Sequence, residues 1–461
     1  MIAILLVLLA QAAPQKKGLN LRELQELARK NDPRAMQVVA QLENAQGKRD
    51  EANWAFFPNF ATTGYIAGPT QEHLLKAATP GANPDDNPNP QDPTQLTPGS
   101  LGGGWFHGKQ GIQGHIEVQA ILPIWTFGKL TAGKKAAGHL VGATEALLQR
   151  ARDQAAFDVA RAYWGYQTSR NAETAVQKIR DKIKDAQQTA KKLMAEKSEQ
   201  LSKSDSLKID YLAEEVEAGL AGTLKNRALA VTGLRLLAGV PPGEDLSIAQ
   251  QDLPTTAPQV PNPDEMLRRA LQQRPETRAA LEAISARQAL VDLARARLWP
   301  DFGIVGGFVF TETTNASNPT SPFTNNPFHA ASGYIALGMQ GTFDVPQKLA
   351  RLRQAEADLH EAAAMQVGAE QLVRLEIQQA LGDLAEARVR AERFTKETEL
   401  GKQLATQGAV AFDSGLGEAR DFLEGTVLYA RADGERFRAL YDAQLAWAAL
   451  EKATGSELSP P

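Results

Sequence analysis

The sequence predicts a mainly α-helical protein that also contains four β-strands and in which one structural unit occurs twice. Two tracts, 124–240 and 347–459, contain no proline and are rich in strong helix formers. Alternating apolar and polar residues before each tract are typical of strands. Pro58 and Pro300 follow helix-like sequence and precede strand-like sequence, which indicates that the unit is duplicated.

The composition excludes several classes of protein. The chain has 461 residues, of which 43% are hydrophobic and 23% charged, so it can bury a large core and is not disordered by composition. The net charge of −4 gives no support for nucleic-acid binding. The absence of cysteine removes disulfides, thiolate metal ligands and a cysteine nucleophile.

The N-terminus predicts a secretory signal peptide over residues 1–12. An apolar run at Ile2–Leu9 is followed by Ala10-Gln11-Ala12, which fits the small-x-small cleavage pattern. The alternative is a buried N-terminal helix. No later stretch supplies about 20 apolar residues, so strands would have to carry any membrane crossing.

The duplication predicts two structural repeats, at 19–250 and 262–456. The repeats are marked by four prolines in two equally spaced pairs, Pro33 with Pro58 and Pro275 with Pro300. In each repeat a short helix ends at the first proline of the pair, and a second helix follows it. Proline cannot continue a helix and pushes the preceding residue toward extended geometry. Pro58 and Pro300 are therefore predicted to be helix-to-strand linkers.

Four strands are predicted, at about 59–67, 113–125, 301–311 and 332–344. In the second strand one side carries only apolar residues, namely Ile116, Val118, Ala120 and Leu122. The other side carries His115, Glu117 and Gln119. This alternation fits either a soluble antiparallel sheet with one wet face or a membrane barrel with its apolar side toward lipid. The signal peptide and the two hairpins favour the barrel, with those four apolar residues facing lipid.

Two long helical hairpins are predicted, at 128–239 and 347–455. A helix of about 70 residues would be about 105 Å long, and each tract can hold two long antiparallel helices if the chain reverses within it. The reversals are predicted at 198–206 and 406–421, where strong helix formers become fewer. A soluble coiled-coil protein would explain the helices but not the strands at matching positions.

This order of elements resembles the TolC-type outer-membrane efflux proteins. The opening at 19–46 resembles the leucine-rich first helix and Asn-x-Pro break of that family. The stretch at 415–423, GLGEARDFL, is similar to its periplasmic hairpin-tip pattern. In the first repeat only Asp205-Ser206-Leu207 remains of this pattern, because Glu199-Gln200 stand where Gly-Leu would be.

The resemblance implies a homotrimer in the outer membrane of a Gram-negative bacterium. Three chains would each contribute four strands to one 12-stranded barrel embedded in outer-membrane lipid. Their helical hairpins would form a tunnel through the periplasm. The protein would then export small molecules or proteins as part of a tripartite system, with a periplasmic adaptor (membrane fusion protein) and an inner-membrane pump of the RND or ABC type.

The resemblance also implies roles for residues at the hairpin tips. Gly415 and Leu416 would form the tip on which the adaptor docks. Asp205, Asp413 and Asp421 would line the periplasmic aperture. The alternative is that each aspartate is simply a helix N-cap.

No motif predicts catalysis, a metal site or a cofactor. The six histidines show no metal-ligand spacing, and the chain has neither a Walker-type loop nor Gly-x-Ser-x-Gly. The sequence therefore predicts a channel and not an enzyme. Two alternatives stay open: an outer-membrane component for type I protein secretion or metal efflux, and a soluble periplasmic coiled-coil adaptor or scaffold.

Overall fold

A computed structural model describes the greater part of the chain, namely residues 18–71, 110–196, 201–241, 246–314, 328–414, 418–456 and 458. The predicted signal peptide at 1–12 lies outside these residues, as do Gly415 and Leu416 of the predicted docking tip.

Within the described residues, the order helix, helix, strand, strand, long helix, long helix occurs twice. The first repeat contains α1 (Leu21–Asn31), α2 (Pro33–Trp54), β1 (Asn59–Gln71), β2 (Gln110–Trp125), α3 (Lys129–Ala195) and α4 (Lys203–Ala238). The second contains α5 (Pro263–Gln273), α6 (Pro275–Ala296), β3 (Asp301–Thr313), β4 (Ala330–Gln340), α7 (Val345–Asp413) and α8 (Ala419–Thr454). The predicted mainly helical fold with four strands in a duplicated unit is confirmed.

Capping residues and prolines mark where the short helices begin and where the strands follow them. Asn20 and Glu23 form a reciprocal capping box at the start of α1, with nitrogen–oxygen distances of 2.8 and 2.9 Å. Pro33 and Pro275 are the first residues of α2 and α6, where a missing N–H costs nothing. The other two prolines of the repeat, Pro58 and Pro300, stand directly before β1 and β3.

The four strands form one antiparallel sheet in the order β1-β2-β3-β4. The two repeats meet at the central pair, where Val118 of β2 lies opposite Phe308 of β3. β4 ends at Gln340, before the predicted end of that strand at 344. The chain turns there because Thr342 donates a hydrogen bond to Asp344 over 2.5 Å, and Lys348 of α7 donates one to the Thr342 carbonyl over 2.6 Å.

The chain divides into two compact units that cut across the sequence repeats. Residues 48–137 and 288–357 form a strand unit that contains the whole sheet. The remaining residues form a helical body. In that body α1 packs against α3 and α4 through Leu24, Tyr163 and Leu234, all fully buried.

In the second repeat, α5 packs against α7 and α8 in the corresponding way, through Met266, Ile377 and Leu450. The two repeats therefore bury equivalent helix faces within the helical body. None of the described helices combines the length and the apolar character needed to cross a membrane.

Candidate membrane surface and hairpin tips

One face of the sheet is predominantly apolar across all four strands. Residues that lie directly opposite each other in an antiparallel pair point to the same side. Ile116, Val118, Ala120 and Leu122 of β2 lie opposite Phe310, Phe308, Gly306 and Ile304 of β3. The same register continues from β3 to Ala331, Gly333, Ile335 and Leu337 of β4. The four residues predicted to face lipid therefore belong to a larger apolar face.

This apolar face has no cover within the described chain. Ile66, Ile335 and Leu337 on it are 83%, 85% and 83% exposed, and Phe60, Ile116 and Phe308 are also exposed. Monomeric soluble proteins rarely expose a contiguous apolar surface of this extent. The soluble sheet of the sequence analysis would have required its apolar side to be buried, so the surface favours contact with lipid.

The opposite face of the sheet is polar and internally hydrogen-bonded. His115 Nδ1 lies 2.8 Å from Thr311 Oγ1, and the imidazole stacks on the Tyr65 ring with a centroid distance of 4.7 Å. Gln119 donates a hydrogen bond to the Tyr334 hydroxyl over 3.3 Å. The Tyr334 ring lies directly over Gly307, where a Cβ would come within 2.5 Å of it, so a larger residue at that position would have to displace the ring.

Exposed aromatic residues cluster where the helices meet the strands. Trp54 contacts Phe57 at 5.8 Å between ring centroids, and Phe127 stacks on Trp299 at 5.3 Å. Trp54, Phe57, Trp125 and Trp299 are all exposed. Aromatic side chains in such bands are typical of the boundary between a bilayer and water.

The sequence analysis did not identify this aromatic cluster. A signal was present, because tryptophan and phenylalanine recur beside both linker prolines in WAFFPNF and LWPDF. The contact between the segment that follows β2 and the segment that precedes β3 is visible only in the structure. Lys129 Nζ, after β2, donates hydrogen bonds to the Trp299 carbonyl over 2.7 Å and to Asp301 over 2.8 Å.

At the other end of the long helices, both hairpins contribute to one apolar cluster in the helical body. The cluster contains Ile183 of α3, Ile209 of α4, Phe412 of α7 and Phe422 of α8, all buried. The Phe412 and Phe422 rings are stacked with centroids 5.8 Å apart. This cluster lies beside the reversals predicted at 198–206 and 406–421.

The predicted aperture residues lie at helix ends beside this cluster, but neither Asp205 nor Asp421 is an N-cap. Ser202 caps α4, and Asp205, three residues later, accepts a hydrogen bond of 2.6 Å from the Ser202 hydroxyl. That bond, together with Lys208 at 3.0 Å, lowers the pKa of Asp205 below its usual value. Asp421 stands three residues after Glu418, the N-cap of α8.

The alternative that Asp205 and Asp421 are N-caps is therefore wrong, because Ser202 and Glu418, three residues earlier, occupy the capping positions. Asp413 is the last residue of α7 and is exposed, so it cannot be an N-cap either. The three aspartates lie on the chain ends that flank the two reversals. Negative charge in the first turn of α4 and α8 is favoured by the helix dipole.

In the second hairpin, α7 and α8 are in close contact at glycines that the sequence analysis did not single out. A Cβ on Gly408 would come within 2.8 Å of the Asp421 carbonyl oxygen, and one on Gly425 within 2.8 Å of the Ala405 nitrogen. By contrast, a Cβ on Gly219 or Gly222 of α4 would meet nothing within 4 Å. The backbones of α7 and α8 touch where the hairpin approaches its tip.

Comparison with known proteins finds a family model that matches part of the chain and a known fold that covers nearly all of it. Residues 266–456 match the family model described as outer membrane efflux protein. No match was found among curated proteins. The fold resembles that of the outer-membrane channel OprN, with 20% sequence identity, a TM-score of 0.72, and 95% of this chain and 90% of that chain covered.

Two further solved structures are similar over their whole length. The outer membrane protein VceC of Vibrio cholerae has 18% identity and a TM-score of 0.73, covering 95% of this chain and 96% of that chain. The outer membrane channel MtrE of Neisseria gonorrhoeae, solved in an open state, has 17% identity and a TM-score of 0.71, covering 95% and 89% respectively. Both repeats therefore share the fold of known outer-membrane channels.

Proposed function

We propose that this chain is an outer-membrane export channel of the outer membrane efflux protein family, whose model matches residues 266–456 and which its resemblance to the TolC-type proteins predicted. The observation that carries the proposal is the exposed apolar face of the sheet, which continues across four strands and ends at a band of exposed aromatic residues. The family is one of channels and not of enzymes, in agreement with the sequence prediction.

Three copies of the chain form the channel in this proposal. A four-stranded sheet cannot close into a barrel, and β1 and β4 each leave one edge without a partner among the described residues. Three chains provide 12 strands, with β1 of one copy paired to β4 of the next. The apolar face then contacts outer-membrane lipid through Ile116, Val118, Ala120 and Leu122, and the polar face lines the lumen.

The long helices continue the conduit into the periplasm. α3 and α7 contain 67 and 69 residues, which corresponds to about 100 Å each at 1.5 Å per residue. Their tips engage a periplasmic adaptor, with Gly415 and Leu416 at the docking position, and the adaptor links the channel to an inner-membrane RND or ABC pump. Asp205, Asp413 and Asp421 form the aperture at that end.

The assembly is tested by the mass of the protein extracted from membranes in mild detergent. The expected particle has three times the mass of one chain and dissociates only on heating, as seen by a shift in gel mobility. A monomer that stays soluble without detergent would contradict the trimer and the barrel. It would favour the soluble periplasmic adaptor instead.

A further inference from the structure

The polar face of the sheet carries one histidine and one carboxylate beside each other near the middle of β2. His115 Nε2 lies 3.9 Å from Glu117 Oε2, and the His115 side chain is only 16% exposed. Two neighbours fix the imidazole from both sides, since Tyr65 of β1 stacks on it and Thr311 of β3 is hydrogen-bonded to it. In β4 the residue at this level is Ala330. Glu117 is therefore the charged group that the described strands place next to His115.

The rest of the polar face contributes little charge. No lysine or arginine occurs in the described residues of the four strands. Asp301, at the first position of β3, is bound by Lys129 over 2.8 Å. Glu312 lies opposite Gly114 and so belongs to the apolar side, where His329 Nδ1 is 3.1 Å away. Among the described strand residues, the net charge of the polar face therefore depends on the His115–Glu117 pair.

We propose that His115 and Glu117 together set the charge selectivity of the barrel lumen, and that protonation of His115 changes it. This inference rests on the proposed function, since it requires the polar face to line the lumen. Histidine is the side chain whose charge changes between pH 5 and 8. With neutral His115, the three pairs of a trimer carry three negative charges and favour cations. With protonated His115, each pair is neutral and its contribution to that preference is lost.

The geometry gives the pair more influence than an exposed surface charge would have. Charges on the wall of a narrow channel raise the local concentration of counter-ions. His115 is held by ring stacking and by Thr311, so it cannot turn away from the lumen without breaking both contacts. Glu117 is 42% exposed and stands next to it on the same strand face.

The proposal is tested by reversal potentials of reconstituted trimers in planar bilayers under a KCl gradient, at about pH 8 and about pH 5. The cation-to-anion permeability ratio of the unmodified channel is expected to fall at least about twofold between pH 8 and pH 5. His115→Gln, which can keep a hydrogen bond to Thr311, should show nearly the same ratio at both values. Glu117→Gln should have a lower ratio than the unmodified channel at pH 8, and its ratio should fall further at pH 5.

His329→Gln is the matched control, because His329 lies on the other side of the sheet beside Glu312. It should keep the pH response of the unmodified channel. An undiminished pH response in His115→Gln, with heat-sensitive trimers intact, would overturn the proposal while leaving the channel function standing. Trimers that conduct no ions in any variant would overturn the proposed function and this inference with it.

Discussion

A buried and a half-buried aspartate of the helical body show how the surroundings of a side chain decide its charge. Asp32 is 2% exposed and bound by Arg34 over 2.7 Å, and the Arg34 hydrogen bond lowers the pKa of Asp32. Asp153 is 16% exposed, and burial raises its pKa to about 6, although Arg29 at 4.0 Å and Gln149 at 2.9 Å act in the opposite direction. The sequence could not predict this difference, because neither burial nor the partner on another helix is visible in it.

Asp153→Asn is expected to stabilise the protein by up to about 3 kcal/mol at pH 7, since folding raises the pKa of Asp153 from 3.8 to about 6. A group whose pKa is raised by folding destabilises the fold increasingly as pH rises from its unfolded value of 3.8 through about 6. The gain should therefore disappear as pH falls from 6 to 4. Thermal unfolding of the detergent-solubilised protein, followed by circular dichroism across this range, measures it.

Asp32→Asn is the matched control and should have the opposite sign. The lowered pKa of Asp32 contributes stability above the unfolded value of 3.8 that is lost as pH falls through the folded value. This variant should be destabilised at pH 7 and approach the unmodified protein in acid. If both variants lose stability equally at pH 7, the different environments assigned to the two carboxyl groups are wrong.

The aspartates at the hairpin tips allow a separate prediction, because neither Asp205 nor Asp421 is an N-cap. Substituting both with asparagine removes charge while keeping the Ser202 cap of α4. We expect weaker block by multivalent cations in planar-bilayer conductance, by about twofold or more, since three copies of each carboxylate would otherwise lie close together. Unchanged block and unchanged cation preference in an intact trimer would show that these aspartates do not line the aperture.

At the scale of elements, the two helix breaks are equivalent in position and reversed in charge. In the first repeat, the buried Asp32 is bound by Arg34, two residues later. Arg34 also binds Asp158 of α3. In the second repeat, the buried Arg274 is bound by Glu276, two residues later. Arg274 is also bound by Glu376 of α7. Ion pairs therefore link each helix break to the first long helix of its own repeat, and the acidic and basic positions are exchanged between the two repeats.

Arg274→Glu is expected to cost about 3 kcal/mol, because it buries a carboxylate next to Glu276 and Glu376. The double variant Arg274→Glu with Glu376→Arg should recover more than half of this loss, since one base is then available to both carboxylates. Chemical denaturation of the two variants measures the recovery. Absence of recovery would show that position 274 tolerates only arginine, and that the ion pair with residue 376 does not account for its contribution to stability.

The glycines of the second hairpin give another prediction for the elements. Gly408→Ala should destabilise the hairpin by about 1–3 kcal/mol, because the new Cβ would come within 2.8 Å of the α8 backbone. Gly222→Ala, where nothing lies within 4 Å, should stabilise it by up to about 1 kcal/mol through helix propensity. Hydrogen exchange at the tips compares the two. A stabilising Gly408→Ala would contradict the close contact of α7 and α8.

At the scale of the whole molecule, periodicity was sufficient to predict the duplication, the helices and the apolar side of β2. The prolines and the alternation in 113–125 are local signals that tertiary contacts do not override here. The continuity of the apolar face was not predictable to the same extent, because it depends on the register of β2 against β3. The tip contacts also escaped prediction, since the alignment of two long helices is set by packing and not by composition.

The central claim is that one face of the sheet contacts lipid and the other contacts water in a lumen. The absence of cysteine allows this to be tested residue by residue, because a single introduced thiol is then the only one in the chain. Val118→Cys and Gln119→Cys are matched variants, adjacent in β2 and on opposite faces of the sheet.

The measurement is labelling of each variant in proteoliposomes with a charged, water-soluble maleimide. The thiol at position 119 is expected to react, and the thiol at position 118 to remain unlabelled until the protein is transferred from lipid to denaturant. Equal labelling at both positions in the membrane, or labelling at 118 alone, would contradict the assignment of the faces and with it the barrel.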